Sequence, residues 1–320
     1  MMWRTLLNRL SPAGPRGRLS ILILHRVLPA IDPLFPDEVH ADRFDRLCAW
    51  VADGFNVLPL DQAVARLRSG NLPARALAIS FDDGYADNHD IAMPILQRHG
   101  LPATVFIATG FMAGGRMWND TIIESLRRSP LPVIDLQGTL AAPLGCLPLA
   151  TLAQRRVAIE QTIKALKYLP PDEREAWVQA VAERSSATLP DDLMMGPAQI
   201  RAMHQAGMQI GAHTVSHPIL ARLSRQAALQ EIAGSKQALE ALLGAPVGLF
   251  AYPNGQPGTD YTDEHVQLVR ELGFEAAVTT RKGAAHSATD MMQIPRFCPW
   301  DQRRAAFASR MAGNLWASRP

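Results

Sequence analysis

The sequence predicts an α/β protein, a distorted (β/α) barrel of about seven or eight strands that carries a helical insertion. Short apolar runs alternate with longer amphipathic stretches through most of the 320 residues, the pattern of strands joined by crossover helices in a parallel sheet. There are about eight such runs, the number that closes a barrel. Three different runs are followed at once by Asp-Asp, His-x-x-x-His and Pro-x-Gly, and barrel enzymes place their chemistry at the C-terminal ends of strands.

In order, the candidate strands are "SILIL" (20–24), "FNVLPL" (55–60), "ALAISF" (76–81), "ATVFIA" (103–108), "MQIGAH" (208–213), "VGLFAY" (247–252), "FEAAVT" (274–279) and "MQIPRF" (292–297). Helical stretches such as "ADRFDRLCAWVADG" and "SRQAALQEIAGSKQALEALLG" lie between them, the second ended by a glycine stop. From about 110 to 192 the rhythm breaks. This interval, with "WNDTIIESLRRS" and "QRRVAIEQTIKALKYLPPDEREAWVQAVAERS" around a Pro- and Gly-spotted piece, reads as a mainly helical insertion. The expected organisation is a basic leader over 1–18, the barrel over 19–300 and a helical tail over 301–320.

Composition is that of an ordinary globular chain, 48% hydrophobic and 19% charged. With 32 basic and 30 acidic side chains the formal charge is +2, so there is no bulk argument for a nucleic-acid partner. Cys48, Cys146 and Cys298 are scattered and form no C-x-x-C pair, which argues against a disulfide framework or a cysteine metal site and for a reducing compartment. No window approaches the roughly 18 apolar residues of a spanning helix. The first residues carry Arg4, Arg9, Arg16 and Arg18 with no acid, but their apolar runs are too broken for a signal peptide. Trp3, Leu6, Leu7 and Leu10 can form one face of a short basic helix at a membrane surface; a frayed solvated leader is the alternative. The protein is therefore expected in the cytoplasm, with peripheral contact to the inner membrane surface.

"SFDDGY" ends a strand on two adjacent carboxylates, Asp82 and Asp83. Taken alone, the pair reads as a turn whose aspartate caps the next helix. "GAHTVSHPIL" then gives His213 and His217, four apart, after another strand. Two imidazoles at that spacing can converge on one ion, with a carboxylate from a third point completing the set. "FAYPNGQ" offers an irregular loop at Pro253 and Gly255 whose backbone N–H groups can serve an oxyanion.

With those residues in hand, the sequence resembles the polysaccharide deacetylases that share the NodB homology domain, family 4 of the carbohydrate esterases. "SFDDGY" resembles their first motif, "HTVSH" their metal-binding second motif and "AYPNG" a degraded third, while "ILILHRVLP" is similar to the opening of the exopolysaccharide-associated subgroup. The resemblance implies that Asp83, His213 and His217 bind a divalent metal, zinc by expectation, and that Asp82 is the general base on metal-bound water. It also implies that a backbone N–H among Tyr252, Pro253, Asn254 and Gly255 holds the oxyanion or substrate. The cation would offset the repulsion between the two aspartates. The substrate implied is an N-acetylated glycan, and the products are acetate and a free amine.

Departures from the family pattern set further expectations. Ala251 stands where relatives carry an arginine beside the catalytic aspartate, and Arg296 in "IPRFCP" is the candidate substitute. The late histidine motif that supplies a general acid is missing, and His286 lies in a Gly- and Ala-rich loop. His25 is the candidate acid, because the leaving amine needs a proton and a closed barrel sets its first and last strands side by side. Otherwise His25 bonds across the barrel mouth or ties down Asp82 through Arg26. The sequence thus points to a metal-dependent N-deacetylase of a polysaccharide or oligosaccharide. The alternative is a non-catalytic glycan-binding or scaffold protein on the same barrel.

Overall fold

The structure is a computed structural model that describes residues 2–299 and 301–318. Trp300, the last residue of the expected barrel, and Arg319 and Pro320 of the expected tail lie outside the described residues. In chain order the strands are β1 (Leu19–Leu24), β2 (Asn56–Val57), β3 (Ala76–Phe81), β4 (Thr104–Ile107), β5 (Val133–Asp135), β6 (Cys146–Pro148), β7 (Gln209–Ala212), β8 (Leu249–Ala251), β9 (Ala276–Lys282) and β10 (Ile294–Arg296). The α-helices are α1 (Met2–Leu10), α2 (Ala41–Gly54), α3 (Leu60–Arg68), α4 (Met93–Arg98), α5 (Trp118–Arg128), α6 (Leu152–Leu166), α7 (Pro171–Ser185), α8 (Pro197–Gln205), α9 (Arg225–Leu243), α10 (Asp263–Glu271) and α11 (Arg304–Ala317). The chain forms two compact units, one made of Ile31–Glu38 and Ala113–Met194 and the other of the remainder.

The larger unit is a nearly closed parallel barrel. Its strands run β1-β3-β4-β7-β8-β9-β10 around the path, and β2 pairs only with β3. Beyond β10, Phe297 donates its N–H to Ile21 (2.8 Å) and accepts from Ile23 (3.0 Å), which sets the last strand beside the first. Side chains alternate across each strand. Leu22, Leu24, Leu77, Ile79, Phe81, Val105 and Ile107 pack outward with the helices. Ile21, Ala78, Phe106, Ala251, Val278 and Ile294 belong to a separate cluster that fills the barrel. Small residues let the interior close around one large ring: a Cβ on Gly211 would lie 2.4 Å from Phe106.

The run "FNVLPL" yields only the two-residue β2, shorter than the sequence suggests. Pro59 caps α3 directly after it, and β4 takes the upper part of the β3 edge, at Ser80 and Phe81, while β2 pairs with Ala76 and Leu77 below. Leu60, Ala63, Val64 and Leu67 of α3 join the interior cluster. The helix crosses the N-terminal ends of the strands, since the Leu60 N–H donates to the side chain of Gln209 at the start of β7 (2.7 Å) and Arg68 donates to the carbonyl of Glu275 just before β9.

The first helix is not a solvated leader. Leu7 and Leu10 of α1 are buried in the outer core, and the Trp3 ring packs edge-on to Phe55. Of the four apolar residues on the expected membrane face, Leu6 is the exposed one. In α11, Phe307, Met311 and Leu315 recur at helical spacing and are all buried. No described helix is long and apolar enough to cross a membrane.

The smaller unit adds two features to the helices α5, α6 and α7. It contains the antiparallel hairpin β5–β6, with Ile134 opposite Leu147, and it recruits Ile31–Glu38 from the connection between β1 and α2. Leu34 enters a core with Ile122, Leu126, Ile159 and Val178, and Asp32 pairs with Arg127 at 2.7 Å. Alternation along the hairpin buries Ile134 and Leu147 and exposes their neighbours.

Candidate active site

The site gathers at the C-terminal ends of β1, β3, β7, β8 and β10. Alternation along β3 continues through Ala76, Ala78 and Ser80 to Asp82, so Asp82 turns toward the barrel interior. There Arg296, 1% exposed, donates to both of its carboxylate oxygens, Nη1 to Oδ1 at 2.6 Å and Nη2 to Oδ2 at 2.7 Å. Arg296 is itself oriented by the carbonyl of Thr279 (2.9 Å) and the hydroxyl of Ser80 (3.2 Å). The Asp82 N–H donates to the Leu24 carbonyl at 2.9 Å, tying it to the end of β1. Burial opposes ionisation of Asp82, but the charges of Arg296 and His213, the Arg296 hydrogen bonds and the charge of His25 outweigh it and hold the acid below the usual carboxylate range.

Asp83 leaves the strand in a left-handed conformation, φ 78°, followed by Gly84 at φ 88°, which redirects its side chain away from Asp82. Its Oδ1 lies 3.4 Å from Nε2 of His213 and 3.4 Å from Nε2 of His217. It is a buried oxygen with no hydrogen-bond partner among the described residues. Burial disfavours its charge, but His217, His213 and His25 more than compensate and lower its pKa.

His213 follows β7 and faces the Ala251 carbonyl, 2.7 Å from Nδ1. In the neutral ring that carbonyl can only accept, so Nδ1 carries the hydrogen and Nε2 presents its lone pair to Asp83. Burial lowers the basicity of His213, yet the adjacent carboxylates of Asp83 and Asp82 prevail and raise it. His217 is pushed down to about 4, chiefly by burial, with Asp83 opposing. The two rings lie 4.8 Å apart.

Asp83, His213 and His217 form the one group of metal-type ligands found among the described residues. On the two edges that Asp83 makes, the fit to a cation is geometric as well as chemical. Tetrahedral zinc with ligand bonds of about 2.0–2.1 Å has ligand–ligand edges of roughly 3.3–3.4 Å, the separation of Asp83 from both nitrogens. An orphaned carboxylate oxygen facing two imidazole lone pairs is a donor set that a divalent cation satisfies.

The loop after β8 narrows the oxyanion assignment. The Tyr252 N–H donates to Val278 (3.3 Å) and that of Gly255 to Pro253 (2.6 Å), while proline has none. Tyr252 also points outward, stacked on Tyr261 with ring centroids 3.9 Å apart. Its position two residues after the outward Phe250 is a sequence signal for that orientation. Among the described residues the Asn254 N–H, at φ 57°, is the one backbone donor of the four without an acceptor, and the Asn254 carbonyl accepts from the Thr280 hydroxyl (2.7 Å).

His25 is exposed directly after β1, on the side where Phe297 brings β10 alongside. Asn88 Nδ2 donates to its carbonyl at 2.8 Å. Arg26 Nε pairs with Asp87 at 2.8 Å, while Arg296 holds both oxygens of Asp82. His286 is at the wrong end, because its neighbour Ala285 pairs with Leu19, the first residue of β1. Ala251, where the family arginine is absent, lends His213 its carbonyl instead. Sequence reasoning missed Ser80, whose spacing of two from Asp82 was the available signal. It also missed Glu231 of α9, which bonds the loop between the two histidines and carries no local signal.

Comparison with known proteins places this arrangement. Residues 69–133 and 154–277 match the profile of the polysaccharide deacetylase family. A curated relative in Bacillus subtilis (strain 168), YxkH, named for the polysaccharide deacetylases, is 21% identical over 282 residues, covering 88% of this chain and 71% of its own. Among solved structures, the Streptococcus pyogenes deacetylase PplD in complex with acetate is 20% identical with a TM-score of 0.61, covering 95% of this chain and 99% of that one. IcaB from Ammonifex degensii is 19% identical with a TM-score of 0.58, at 93% and 98% coverage. The deacetylase domain of BpsB from Bordetella bronchiseptica is 18% identical with a TM-score of 0.55, at 88% and 95% coverage. These structures share the barrel, and the profile match spans more than half of the sequence. The chain belongs to the polysaccharide deacetylase family.

Proposed function

We propose that this protein removes N-acetyl groups from a bacterial exopolysaccharide or its oligomers, using a divalent cation, zinc, held by Asp83, His213 and His217. Membership of the family makes it a hydrolase of non-peptide carbon–nitrogen bonds with an acetylated glycan as substrate. The metal, the base and the kind of glycan are the finer reading. The observation that carries it is the equal 3.4 Å spacing of Asp83 Oδ1 from the two Nε2 atoms.

When bound, the cation supplies Lewis acidity, lowering the pKa of water and polarising the acetyl carbonyl. Asp82 accepts the proton of the attacking water. Each of its oxygens retains a lone pair beyond the one used by Arg296, and Arg296 keeps the carboxylate ionised and fixed in direction. The Asn254 N–H donates to the carbonyl oxygen as negative charge develops there. His25 delivers a proton to the departing amine nitrogen. The exopolysaccharide assignment is supported by the opening motif around His25, "ILILHRVLP", which resembles that of the exopolysaccharide-associated subgroup.

The test is release of acetate from an N-acetylglucosamine oligomer, measured with native protein, after chelation and after zinc is restored. Release that is lost on chelation and regained with zinc supports the reading. Undiminished release from metal-free protein contradicts it.

A further inference from the structure

We propose that Glu231 is a positioning residue for His217 and so sets the affinity of the site for its cation; this rests on the reading of Asp83, His213 and His217 as a metal centre. The two histidines are held by different means. His213 is oriented through its ring by the Ala251 carbonyl at 2.7 Å. For the His217 ring no bond at Nδ1 is present among the described residues, so its placement depends on its backbone.

That backbone is unusual. Thr214 (φ 66°) and His217 (φ 56°) both adopt left-handed conformations, which a β-branched threonine rarely occupies and a histidine does more readily. The reversal they make brings the second imidazole back to Asp83. It is held from two sides. From α9, Glu231 Oε2 accepts the N–H groups of Val215 and Ser216, each at 2.8 Å, and Oε1 accepts the Ser216 hydroxyl at 2.7 Å. From the segment after β4, the Thr109 and Gly110 N–H groups donate to the carbonyls of Thr214 (3.1 Å) and Val215 (2.8 Å). A Cβ on Gly110 would lie 2.8 Å from the Val215 oxygen, so this close approach needs glycine.

A carboxylate suits three converging donors because it only accepts, and charge-assisted bonds are the stronger kind. Partners of this type, one step removed from the ligands, typically change metal affinity about 10- to 100-fold when lost. Glutamine at 231 would keep an amide oxygen for both N–H groups and recover most of the latch, whereas alanine would keep none.

The experiment is calorimetric titration of zinc into metal-stripped full-length protein, with thermal unfolding of the same apo samples. Glu231→Ala is expected to weaken zinc binding about 10- to 100-fold, Glu231→Gln to recover most of it, and Ser216→Ala to show a smaller loss, about 3- to 10-fold. Wild-type affinity in Glu231→Ala overturns the proposal, as does a loss in Glu231→Gln equal to that in Glu231→Ala, which would assign the effect to charge. Should Glu231→Ala fail to fold, wild-type affinity in Ser216→Ala overturns it. His213→Ala is the control: undiminished binding there would overturn the metal reading itself, separately from any result at Glu231.

Discussion

Arg296 grips both carboxylate oxygens of Asp82, at 2.6 and 2.7 Å, across 214 residues of sequence. Both side chains are buried, and neither is easily left alone. A buried ion pair need not add net stability, but removing one partner leaves an uncompensated charge. Arg296→Ala is therefore expected to destabilise the barrel by about 3–5 kcal/mol, measured by urea unfolding. A change under 1 kcal/mol would mean that the pair is far better solvated than its burial indicates.

The same contact sets a pH dependence. Asp82 is held below the usual carboxylate range in spite of burial, so it stays ionised at neutral pH. Its contribution to stability is present above the ordinary carboxylate pKa and fades as pH falls through the depressed folded value. Arg296→Gln leaves burial without its main opposing charge and pushes the pKa up. The acid limb of kcat/KM is then expected to move to higher pH, and an unmoved limb would remove Asp82 from the rate profile.

His25 is exposed at the end of β1 and lies within the field of Asp82 and Asp83. As general acid it matters for an amine leaving group and little for a good one. His25→Ala is expected to lose activity on an N-acetylated glycan far more than on an activated acetate ester. Equal losses on both substrates, with metal content unchanged, would exclude it.

Leu7 of α1 is 1% exposed in the barrel's outer core. Leu7→Ala is expected to cost about 2–5 kcal/mol by denaturant unfolding. Deleting residues 1–18 should accordingly lower thermal stability, whatever it does to vesicle binding. A deletion variant with unchanged Tm would return this segment to the status of a dispensable leader.

Much of the architecture was legible because barrel strands are apolar on both faces and stop at polar chemistry. "ALAISF" coincides with β3 for that reason. Arg296 could be singled out because the family arginine is missing at Ala251 and few cations follow a strand. Other features depended on the folded backbone. The diverging directions of Asp82 and Asp83 rest on the positive φ of Asp83, which no local residue pattern announces. Glu231 sits in an amphipathic helix among ordinary surface residues, and only tertiary packing brings it to Val215 and Ser216. Ile31–Glu38 looks like a barrel connection until Leu34 is seen in the other core. The outward orientation of Tyr252 was signalled by its spacing of two from Phe250, but the motif resemblance drew it into the expected site instead.

The division of labour between the two aspartates is the central claim, and Asp82→Asn compared with Asp83→Ala tests it most directly, by metal content and acetate release on the same samples. Asp82→Asn is expected to retain about one equivalent of metal while losing about 10²- to 10⁴-fold in turnover; Asp83→Ala is expected to lose both metal and turnover. Metal lost from Asp82→Asn and kept by Asp83→Ala would contradict the account.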